Sequence, residues 1–405
     1  MRGRAVTRTA GPEIVLDLSR LVSRLRHATP TGVDRVEMAY AAGLLRRVPD
    51  RLAFGALHPV LGYGRIPRVS AERFLAETER RWEGASAAGR PNGAAVAAAL
   101  ALTRPRPVPR GGGARVLVQS SPHHLDRPGV VRRILAREQA RYLVLLHDLI
   151  PIQFPEYARP GGLATHLARV RTVAALADGV VANSAATWAA FAPYLVEAGR
   201  RPASAVALLG TERPPPVAPA ASGGRPYFVC LGTIEPRKNH LLLLHAWRRM
   251  AEELGAAATP RLLILGRRGW ENEQVVDLLE RSPALAGCVE EHAHLPDREV
   301  RRLVAGARAV LLPSFAEGFG MPVPEALALG VPVICSDLPA LREAGGGVPL
   351  HLDPLDGPAW MRAVLDMTGP RSAERAAQLE RLAGWTPPGW GDHLDAVLGL
   401  ADRIA

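Results

Sequence analysis

The chain has 405 residues, which exceeds the size of one ordinary domain, so two domains are expected. Its hydrophobic fraction of 48% predicts folded cores, while the longest strongly apolar run, Ala94 to Leu102, is far shorter than the roughly 20 residues of a membrane span.

The net charge of +11 is uneven, because residues 1–110 hold 19 arginines and 9 acidic side chains. Such a basic region is compatible with a nucleic acid, an anionic membrane surface, a phosphate-bearing substrate or a simply solvated surface. An aromatic content of 5%, without a stacking motif or zinc-finger spacing, argues against nucleic acid.

The predicted elements alternate between short apolar strands and helix-length segments along the whole chain. Most of these strands lack a two-residue alternation, which predicts burial on both faces, as in a parallel sheet that is covered by helices. Strand–helix–strand alternation favours a doubly wound α/β fold. The predicted strands are EIVLDLS, RLAFGAL, RVLVQSS, YLVLLHD, GVVANS and AVALLG in the first half, and YFVCLGT, RLLILG, AVLLPS, VPVICS and VPLHL in the second.

A proline-rich stretch, TERPPPVAPAASGGRP, divides the chain almost in half. Proline-rich segments extend and do not pack as helices, so we predict a linker at residues 213–226. The domains on either side are residues 1–212 and 227–385, and their ligands are expected in a cleft at the carboxyl ends of the strands. A second proline-rich stretch, residues 103–113, predicts a mobile loop.

The N-terminus and the cysteines both indicate a cytoplasmic protein. The first residues carry charge but no long apolar run before a cleavage site, so no signal peptide is predicted. The cysteines are odd in number, are spaced unlike zinc ligands and lie in or beside apolar strands. We interpret them as buried free thiols: Cys230, Cys288 and Cys335.

Two segments of the first half place candidate residues near the predicted cleft. Gly32, in TPTGVDRVE, starts a helix after the first strand, and His147, in YLVLLHDLIPIQFPEY, ends a buried strand. A histidine there faces the cleft and can exchange a hydrogen bond with a substrate; the competing interpretation is a bond to a backbone carbonyl. Asp148 is expected to order the next loop. In ALADGVVANSAATWAAF, Ser184 is expected to cap the following helix, with Thr187 in its first turn.

The segment YFVCLGTIEPRKNHLLLLHAW contains Lys238, the only lysine in the chain. A buried strand runs into Gly232, which allows a tight turn, and a helix begins near Asn239. Arg237 and Lys238 precede the helix N-terminus, which already favours anions. Two cations at that position predict an anionic partner such as a diphosphate, with a surface pair beside Glu235 as the alternative.

The segment PSFAEGFGMPVPEALALGVPVICSD places two carboxylates around a glycine-rich loop. Glu317 lies in the loop, and Glu325 lies in the first turn of a helix that starts with Pro322 and Pro324. Because carboxylates accept hydrogen bonds from vicinal hydroxyls, the pair suits a polyol, with a hexose at one end and a ribose at the other. The alternative for Glu325 is a simple pairing with the helix dipole.

GTIEPRKN, GRRGW, LHDLIPIQFPE and PSFAEGFGMPVPEALALGVPVICSD together resemble family 4 retaining glycosyltransferases of the GT-B fold. The likeness is tightest from Tyr227 to Pro354. It implies an α/β protein with two Rossmann-like, doubly wound domains that face a cleft. It also implies that the first domain binds the acceptor, the second binds the nucleotide sugar, and a last helix, at residues 386–405, crosses back to the first domain.

The resemblance also implies roles for individual residues. Arg237 and Lys238 hold the donor diphosphate, Glu317 contacts hydroxyls of the donor sugar, Glu325 holds the ribose, and His147 lies beside the sugar. The implied catalytic residues are His147, Arg237, Lys238 and Glu317. The implied donor-binding residues are Gly32, Gly232, Thr233, Gly318, Phe319, Gly320, Met321 and Glu325. This chain has one glycine at Gly32 where the family has a pair.

The implied function is transfer of a hexose, mannose or a similar sugar, from a nucleotide diphosphate sugar to a hydroxyl acceptor, with anomeric retention, in surface polysaccharide or glycolipid assembly. The implied partners are the nucleotide-sugar donor and a glycan or lipid-linked acceptor, with no metal or other cofactor and no nucleic acid. The alternatives are a GT-B sugar-nucleotide epimerase and a non-catalytic protein that binds a sugar nucleotide or a nucleic acid. The basic N-terminal region adds the hypothesis of peripheral contact with an anionic inner membrane face.

Overall fold

The computed structural model describes residues 11–25, 27, 29–58, 62–84, 106–109, 113–212, 217–220 and 224–405. The predicted mobile loop and the predicted linker therefore lie partly outside the described residues. The described strands form two sheets, one from each half of the chain.

The first sheet has seven strands in the spatial order β3-β2-β1-β4-β5-β6-β7, and the second has six in the order β10-β9-β8-β11-β12-β13. The first sheet contains β1 (Glu13–Asp17), β2 (Leu52–His58), β3 (Gly62–Ile66), β4 (Arg115–Gln119), β5 (Arg141–Leu146), β6 (Gly179–Ala182) and β7 (Ala203–Val206). The second contains β8 (Tyr227–Leu231), β9 (Arg261–Leu265), β10 (Val289–His292), β11 (Val310–Leu312), β12 (Val333–Ser336) and β13 (Leu350–Leu352). Among the described strands, only β2 and β3 pair antiparallel.

Helices connect the strands and cover the sheets, as the doubly wound prediction requires. The helices of the first half are α1 (Ser19–Ser23), α2 (Gly32–Arg47), α3 (Arg68–Trp82), α4 (Pro128–Glu138), α5 (Ile150–Gln153), α6 (Gly162–Leu176) and α7 (Ala185–Glu197). Those of the second half are α8 (His240–Leu254), α9 (Glu273–Arg281), α10 (Asp297–Ala305), α11 (Pro322–Ala328), α12 (Pro339–Gly345), α13 (Gly357–Thr368), α14 (Ala373–Ala383) and α15 (Trp390–Ile404).

The central strands are buried on both faces, which explains their continuous apolar sequences. Every residue of β4, β6 and β12 is buried, and β1 and β8 are exposed only at one end. Strand order reverses between β1 and β4 in the first sheet and between β8 and β11 in the second. Chain segments diverge from the sheet at such reversals, which opens a ligand crevice at the carboxyl ends of the strands. The predicted α/β fold is confirmed.

Two edge strands, β3 and β10, were missed by the sequence analysis. The sequence of β3 is GYGRI, and that of β10 is VEEH, in which all four residues are partly exposed. Neither segment has an apolar run. In β10 this fits its partial exposure, whereas β3 is buried at four of five positions and instead contains two glycines and an arginine. Their sequences therefore resemble loops.

The last helix, α15, packs on the first domain, as the resemblance implied. Leu394, Val397 and Leu400 on this helix are buried in the same core as strands of the first sheet. His393 donates from Nδ1 to the carbonyl oxygens of Ala207 and Leu208, at 3.1 and 3.0 Å. With that proton on Nδ1, its Nε2 accepts from the Tyr40 hydroxyl of α2 at 2.6 Å. Side-chain hydrogen bonds thus join the last helix to two segments of the first domain.

The cysteine prediction is also confirmed. Cys230, Cys288 and Cys335 are buried and form no disulfide. Burial raises the pKa of the Cys230 and Cys335 thiols to about 12, so both remain protonated at neutral pH. Within the described ranges, no helix combines the length and the apolar character that crossing a membrane requires.

Candidate functional site

The carboxyl ends of the two sheets face each other, and the glycine-rich loop after β11 lies at their contact. A Cβ atom added to Gly318 would lie 2.2 Å from the carbonyl oxygen of His147, at the end of β5. Only glycine therefore allows the two backbones to approach so closely. The contact brings together the candidate residues of both halves of the chain.

Arg237, Lys238 and Glu317 form one cluster next to this contact. Lys238 Nζ lies 2.5 Å from Glu317 Oε1, and Arg237 Nη1 lies 2.8 Å from Glu317 Oε2. The Ser314 hydroxyl donates to Glu317 Oε1 at 2.7 Å, and Arg237 also pairs with Glu235 at 2.7 Å. The anion that the two neighbouring cations were expected to need is thus provided by Glu317 in this structure.

Lys238 has more hydrogen-bonding capacity to spare than Arg237. Arg237 directs Nε and Nη2 to Glu235 and Nη1 to the Ala316 carbonyl and Glu317, which engages four of its five N–H groups with described residues. Lys238 has three N–H groups and uses one on Glu317. Gly232 leaves room beside it, because a Cβ there would lie 3.4 Å from Lys238 Cε. Lys238 is therefore the group of the cluster best able to reach an additional anion.

Electrostatics keep Glu317 and Arg237 charged. Burial alone would raise the pKa of Glu317, but the charges of Arg237 and Lys238 hold it at about 2. Burial would lower the pKa of Arg237, but the carboxylates of Glu317 and Glu235 raise it. The side chains of Arg237, Lys238 and Glu317 are 18%, 12% and 8% exposed, so water screens them little.

The second carboxylate, Glu325, lies in the first turn of α11 and is exposed to solvent. Arg35 of α2 lies opposite Glu325. It forms a bidentate ion pair with Asp297 of α10, in which both N–O distances are 2.6 Å. Burial would lower the pKa of Arg35, but the carboxylate of Asp297 and then that of Glu325 raise it. The sequence analysis gave Arg35 and Asp297 no role.

The predicted glycines lie at close backbone contacts. Gly32 is the first residue of α2, and a Cβ there would lie 3.0 Å from the Met321 methyl group of the opposite half. Gly320 has φ +86°, and its missing Cβ makes room for Leu341.

Phe319 is buried in the core, so only its backbone can face a ligand. Thr233, in the turn after β8, packs against Gly269, where a Cβ would meet its methyl group at 2.7 Å.

His147 lies at the tip of β5, as predicted, and its ring donates from Nε2 to the Ser120 carbonyl oxygen at 2.7 Å. This is the contact of the competing interpretation, and it leaves Nδ1 as the acceptor of the neutral ring. Burial lowers the pKa of His147, which favours that neutral form. The following Asp148 accepts from the Ile150 amide at 3.1 Å, which orders the loop as expected.

A contact between the halves that the sequence did not reveal involves Ser184 and Thr187. Ser184 caps α7, as predicted, by accepting from the Thr187 amide at 3.0 Å. Its hydroxyl also donates to the carbonyl oxygen of Gly318 at 2.8 Å. A Ser-x-x-Thr sequence predicts the cap, but nothing in the sequence indicates a bond to a residue 134 positions away.

A cavity of about 320 Å³ lies beside the site and is bordered by its loop. The residues that line it are Asn239, Leu242, His245, Ala246, Arg249, Phe315, Pro354, Leu355, Gly357, Pro358 and Met361. In the part of the chain that the structure describes, no three His, Cys, Asp or Glu side chains are grouped as ligands for a metal ion.

Residues 225–368, which include β8, α8 and the Glu317–Glu325 segment, match the family model of the glycosyl transferases group 1. These residues are therefore similar to a group 1 glycosyltransferase domain. O-antigen chain mannosyltransferase B of Escherichia coli is 39% identical over 130 residues, which is 32% of this chain and 33% of that relative. The serotype-specific mannosyltransferase WbdA of the same organism is 28% identical over 220 residues, 49% of this chain and 26% of WbdA. The similarity thus spans about a third or less of these relatives.

Solved structures extend the likeness of the glycosyltransferase domain to the whole fold. α,α-Trehalose 6-phosphate synthase from Burkholderia multivorans superposes with a TM-score of 0.62 at 12% identity, over 97% of this chain and 99% of that one. Anabaena HepE in complex with UDP and glucose superposes with a TM-score of 0.57 at 15% identity, over 96% of this chain and 97% of that one. The two-domain GT-B architecture expected from the sequence is confirmed.

Proposed function

We propose that the chain is a retaining glycosyltransferase that moves a hexose from a nucleotide diphosphate sugar to a hydroxyl acceptor. The observation that carries the proposal is the cluster of Arg237, Lys238 and Glu317 within a group 1 glycosyltransferase domain, at the contact between the two halves. The cluster offers cations for a diphosphate and a carboxylate for sugar hydroxyls side by side. The complexes of Anabaena HepE with UDP and glucose support a nucleotide-sugar donor.

In the proposed reaction, Lys238 contacts the diphosphate with its two remaining N–H groups and stabilises the negative charge that develops on the leaving oxygen. Arg237, largely engaged with protein oxygens, orients Glu317 and contributes its charge. Glu317 remains ionised and accepts hydrogen bonds from the donor sugar, while Glu325 holds the ribose. His147 contributes its Nδ1 as an acceptor beside the sugar. The acceptor hydroxyl bonds to the anomeric carbon as the bond to the diphosphate breaks, and its proton passes to the departing diphosphate.

Mannose is the proposed sugar, and the growing chain of a surface polysaccharide is the proposed acceptor. The support is the name of the relatives, since O-antigen chain mannosyltransferase B and WbdA are both described as mannosyltransferases.

Because the phosphate charge would be balanced by Lys238 and Arg237, we propose that transfer needs no metal or other cofactor. Addition of EDTA should then leave the rate of transfer unchanged, and a loss of rate restored by a divalent cation would contradict this part.

The test of the proposed function is transfer by the purified chain from a panel of GDP-mannose, UDP-glucose, UDP-GlcNAc and dTDP-rhamnose to a synthetic mannoside. We expect GDP release from GDP-mannose and a new α-linked mannose on the acceptor. Isomerised nucleotide sugar without transfer would favour the epimerase. Binding of the donor without turnover, or of DNA in a salt-sensitive manner, would favour a non-catalytic protein and overturn the proposal.

We also propose peripheral contact with an anionic membrane face. In the described N-terminal region, at least eight arginines already pair with acids: Arg20, Arg24, Arg35, Arg47, Arg51, Arg65, Arg68 and Arg80. Outside the basic region of residues 1–110 on which the hypothesis was based, α4 offers a more accessible basic surface, where Arg132, Arg133 and Arg137 are exposed while Val131 and Ile134 are buried. Sedimentation with phosphatidylglycerol vesicles should be lost when these three arginines become glutamine. Absence of wild-type binding at moderate salt would remove the idea.

A further inference from the structure

The N-terminus of α7, in the first domain, contacts the second domain at two separate points. The first point is the carbonyl oxygen of Gly318, which follows Glu317 in the glycine-rich loop. The second is the carboxylate of Glu343, on α12, which accepts from the Ala185 amide at 2.6 Å and from the Ala186 amide at 3.0 Å. One end of one helix thus holds two segments of the other domain.

The hydrogen bonds of Ser184 show that it does more than cap the helix. As an acceptor, its oxygen caps α7 through the Thr187 amide. As a donor, the hydroxyl has two acceptors in reach, Gly318 O at 2.8 Å and the Thr187 hydroxyl oxygen at 3.0 Å, and the contact with Gly318 O is the shorter. The Thr187 hydroxyl lies 3.3 Å from the same carbonyl. Ser184 is 0% exposed and Thr187 is 4% exposed, so water does not compete for these contacts. A cap alone would need only the acceptor function.

Glu343 completes the same helix end from the opposite domain. A helix leaves its first amide groups without partners, and its N-terminus favours negative charge. Here the carboxylate of Glu343 takes two of these amides and Ser184 takes a third. Separation of the domains would expose Ala185 N and Ala186 N and release Gly318 O at the same time. Both contacts therefore form and break with domain closure.

We propose that Ser184 and Glu343 are positioning residues that couple closure of the two domains to the placement of the loop carrying Glu317. Ser184 holds the loop by the carbonyl next to Glu317, and Glu343 anchors the helix that presents Ser184. The catalytic consequence rests on the proposed function, in which Glu317 contacts the donor sugar. The structural coupling between the domains does not depend on it.

Substitutions at Ser184 separate the two functions of its hydroxyl. Ser184→Gly retains an accepted N-cap residue but removes the donor to Gly318 O, whereas Ser184→Thr keeps both the cap and the hydroxyl. Ser372 provides a matched control, because it caps α14 by accepting from the Arg375 amide at 3.0 Å, and its side-chain hydrogen bonds within the described residues go only to Arg375 and Asp366 of the second domain. Ser372→Gly removes the same atoms from a similar helix end.

The first measurement is kcat and the donor KM of these variants. We expect Ser184→Gly to lower kcat at least tenfold with the donor KM changed less than threefold, since Arg237 and Lys238 are untouched. Ser184→Thr and Ser372→Gly should remain within threefold of wild type in kcat. Wild-type kcat in Ser184→Gly, or equal losses in Ser184→Gly and Ser184→Thr, would overturn the positioning role.

The second measurement needs no substrate and tests closure itself. Small-angle X-ray scattering of Glu343→Ala should show a larger radius of gyration than wild type at an unchanged helix content by circular dichroism. An unchanged radius would overturn the coupling, whatever the activity. A larger radius in Glu343→Ala together with a wild-type chain that transfers no sugar would refute the proposed function and leave the coupling supported.

Discussion

Replacement of Lys238 by alanine removes the cation of the Arg237–Lys238–Glu317 cluster that has the most hydrogen-bonding capacity to spare. Its Nζ lies 2.5 Å from Glu317 Oε1, and its side chain is 12% exposed. After truncation, Glu317 still has Arg237 at 2.8 Å and Ser314 at 2.7 Å, so its carboxylate is not left without partners. The free energy of unfolding should therefore fall by about 1–2 kcal/mol, less than the roughly 3–5 kcal/mol of a fully broken buried pair.

The effect of Lys238→Ala on donor kcat/KM should be larger than its effect on the free energy of unfolding would suggest, because Lys238 would also bind the phosphate. A hydrogen bond from a charged group to a phosphate contributes roughly 1.5–3 kcal/mol, and about 1.4 kcal/mol corresponds to a factor of ten. Lys238→Ala should thus lower kcat/KM for the donor by roughly 10- to 150-fold. Lys238→Arg keeps the charge, and it should retain part of the activity, because the larger guanidinium must fit beside Gly232.

The assay is initial-rate release of the nucleoside diphosphate, with thermal unfolding measured on the same preparations. Arg281→Ala is a suitable control, since Arg281 is exposed and pairs only with Asp277 of its own helix among the described residues. It should leave kcat/KM unchanged. A Lys238→Ala protein that folds and transfers sugar at the wild-type rate would refute the assignment of Lys238 to the diphosphate.

Three other substitutions test the charges and the close contacts of the structure. The pKa of Glu317 is about 2 in the fold against 4.5 for a free side chain, so its charge stabilises the fold above pH 4.5, and this stabilisation is lost as the pH falls toward 2. Glu317→Gln should therefore flatten the dependence of Tm on pH between 4.5 and 2. An unchanged slope would contradict the depressed pKa. Burial raises the pKa of Glu37 to about 8, so the wild type loses stability as the pH rises from 4.5 to 8, because the unfolded chain releases this proton first. Glu37→Gln should raise Tm at pH 8 but not at pH 4.5. Equal shifts of Tm at both pH values would contradict the raised pKa. Gly318→Ala would place a methyl group 2.2 Å from His147 O and should reduce the rate of transfer at least a hundredfold. In the control variant Gly347→Ala, the added methyl group meets no atom within 4 Å, so the activity should equal that of the wild type. Similar rates in the two variants would exclude the close contact.

The central architecture was predictable because buried parallel strands leave a strong signal in the sequence. Strands such as β6 and β8 are apolar throughout, since helices cover both faces of each sheet. The edge strand β10 left no such signal, because its partly exposed positions tolerate glutamate and histidine. In β3 the apolar pattern is interrupted by two glycines and by Arg65, which is buried in ion pairs with Glu13 and Glu138. Local capping at Ser184 was likewise predictable, since it depends on residues three positions apart.

Contacts between distant residues account for what the sequence could not reveal. Glycines, cations and carboxylates marked the loops, but the pairing of Lys238 with Glu317 joins residues 79 positions apart. Arg35 and Asp297 are 262 positions apart, and each looked like an ordinary surface charge. Which charge neutralises which depends on how the two domains meet. The sequence therefore predicted the members of the site but not their arrangement.

The most direct test of the central claim is a crystal structure of the chain with a nucleotide diphosphate sugar or its nucleoside diphosphate product. The account predicts electron density for the diphosphate between the two domains, within hydrogen-bonding distance of Lys238 Nζ and beside Arg237. Density for the phosphates elsewhere on the chain, or on a surface away from the contact of Gly318 with His147, would contradict it.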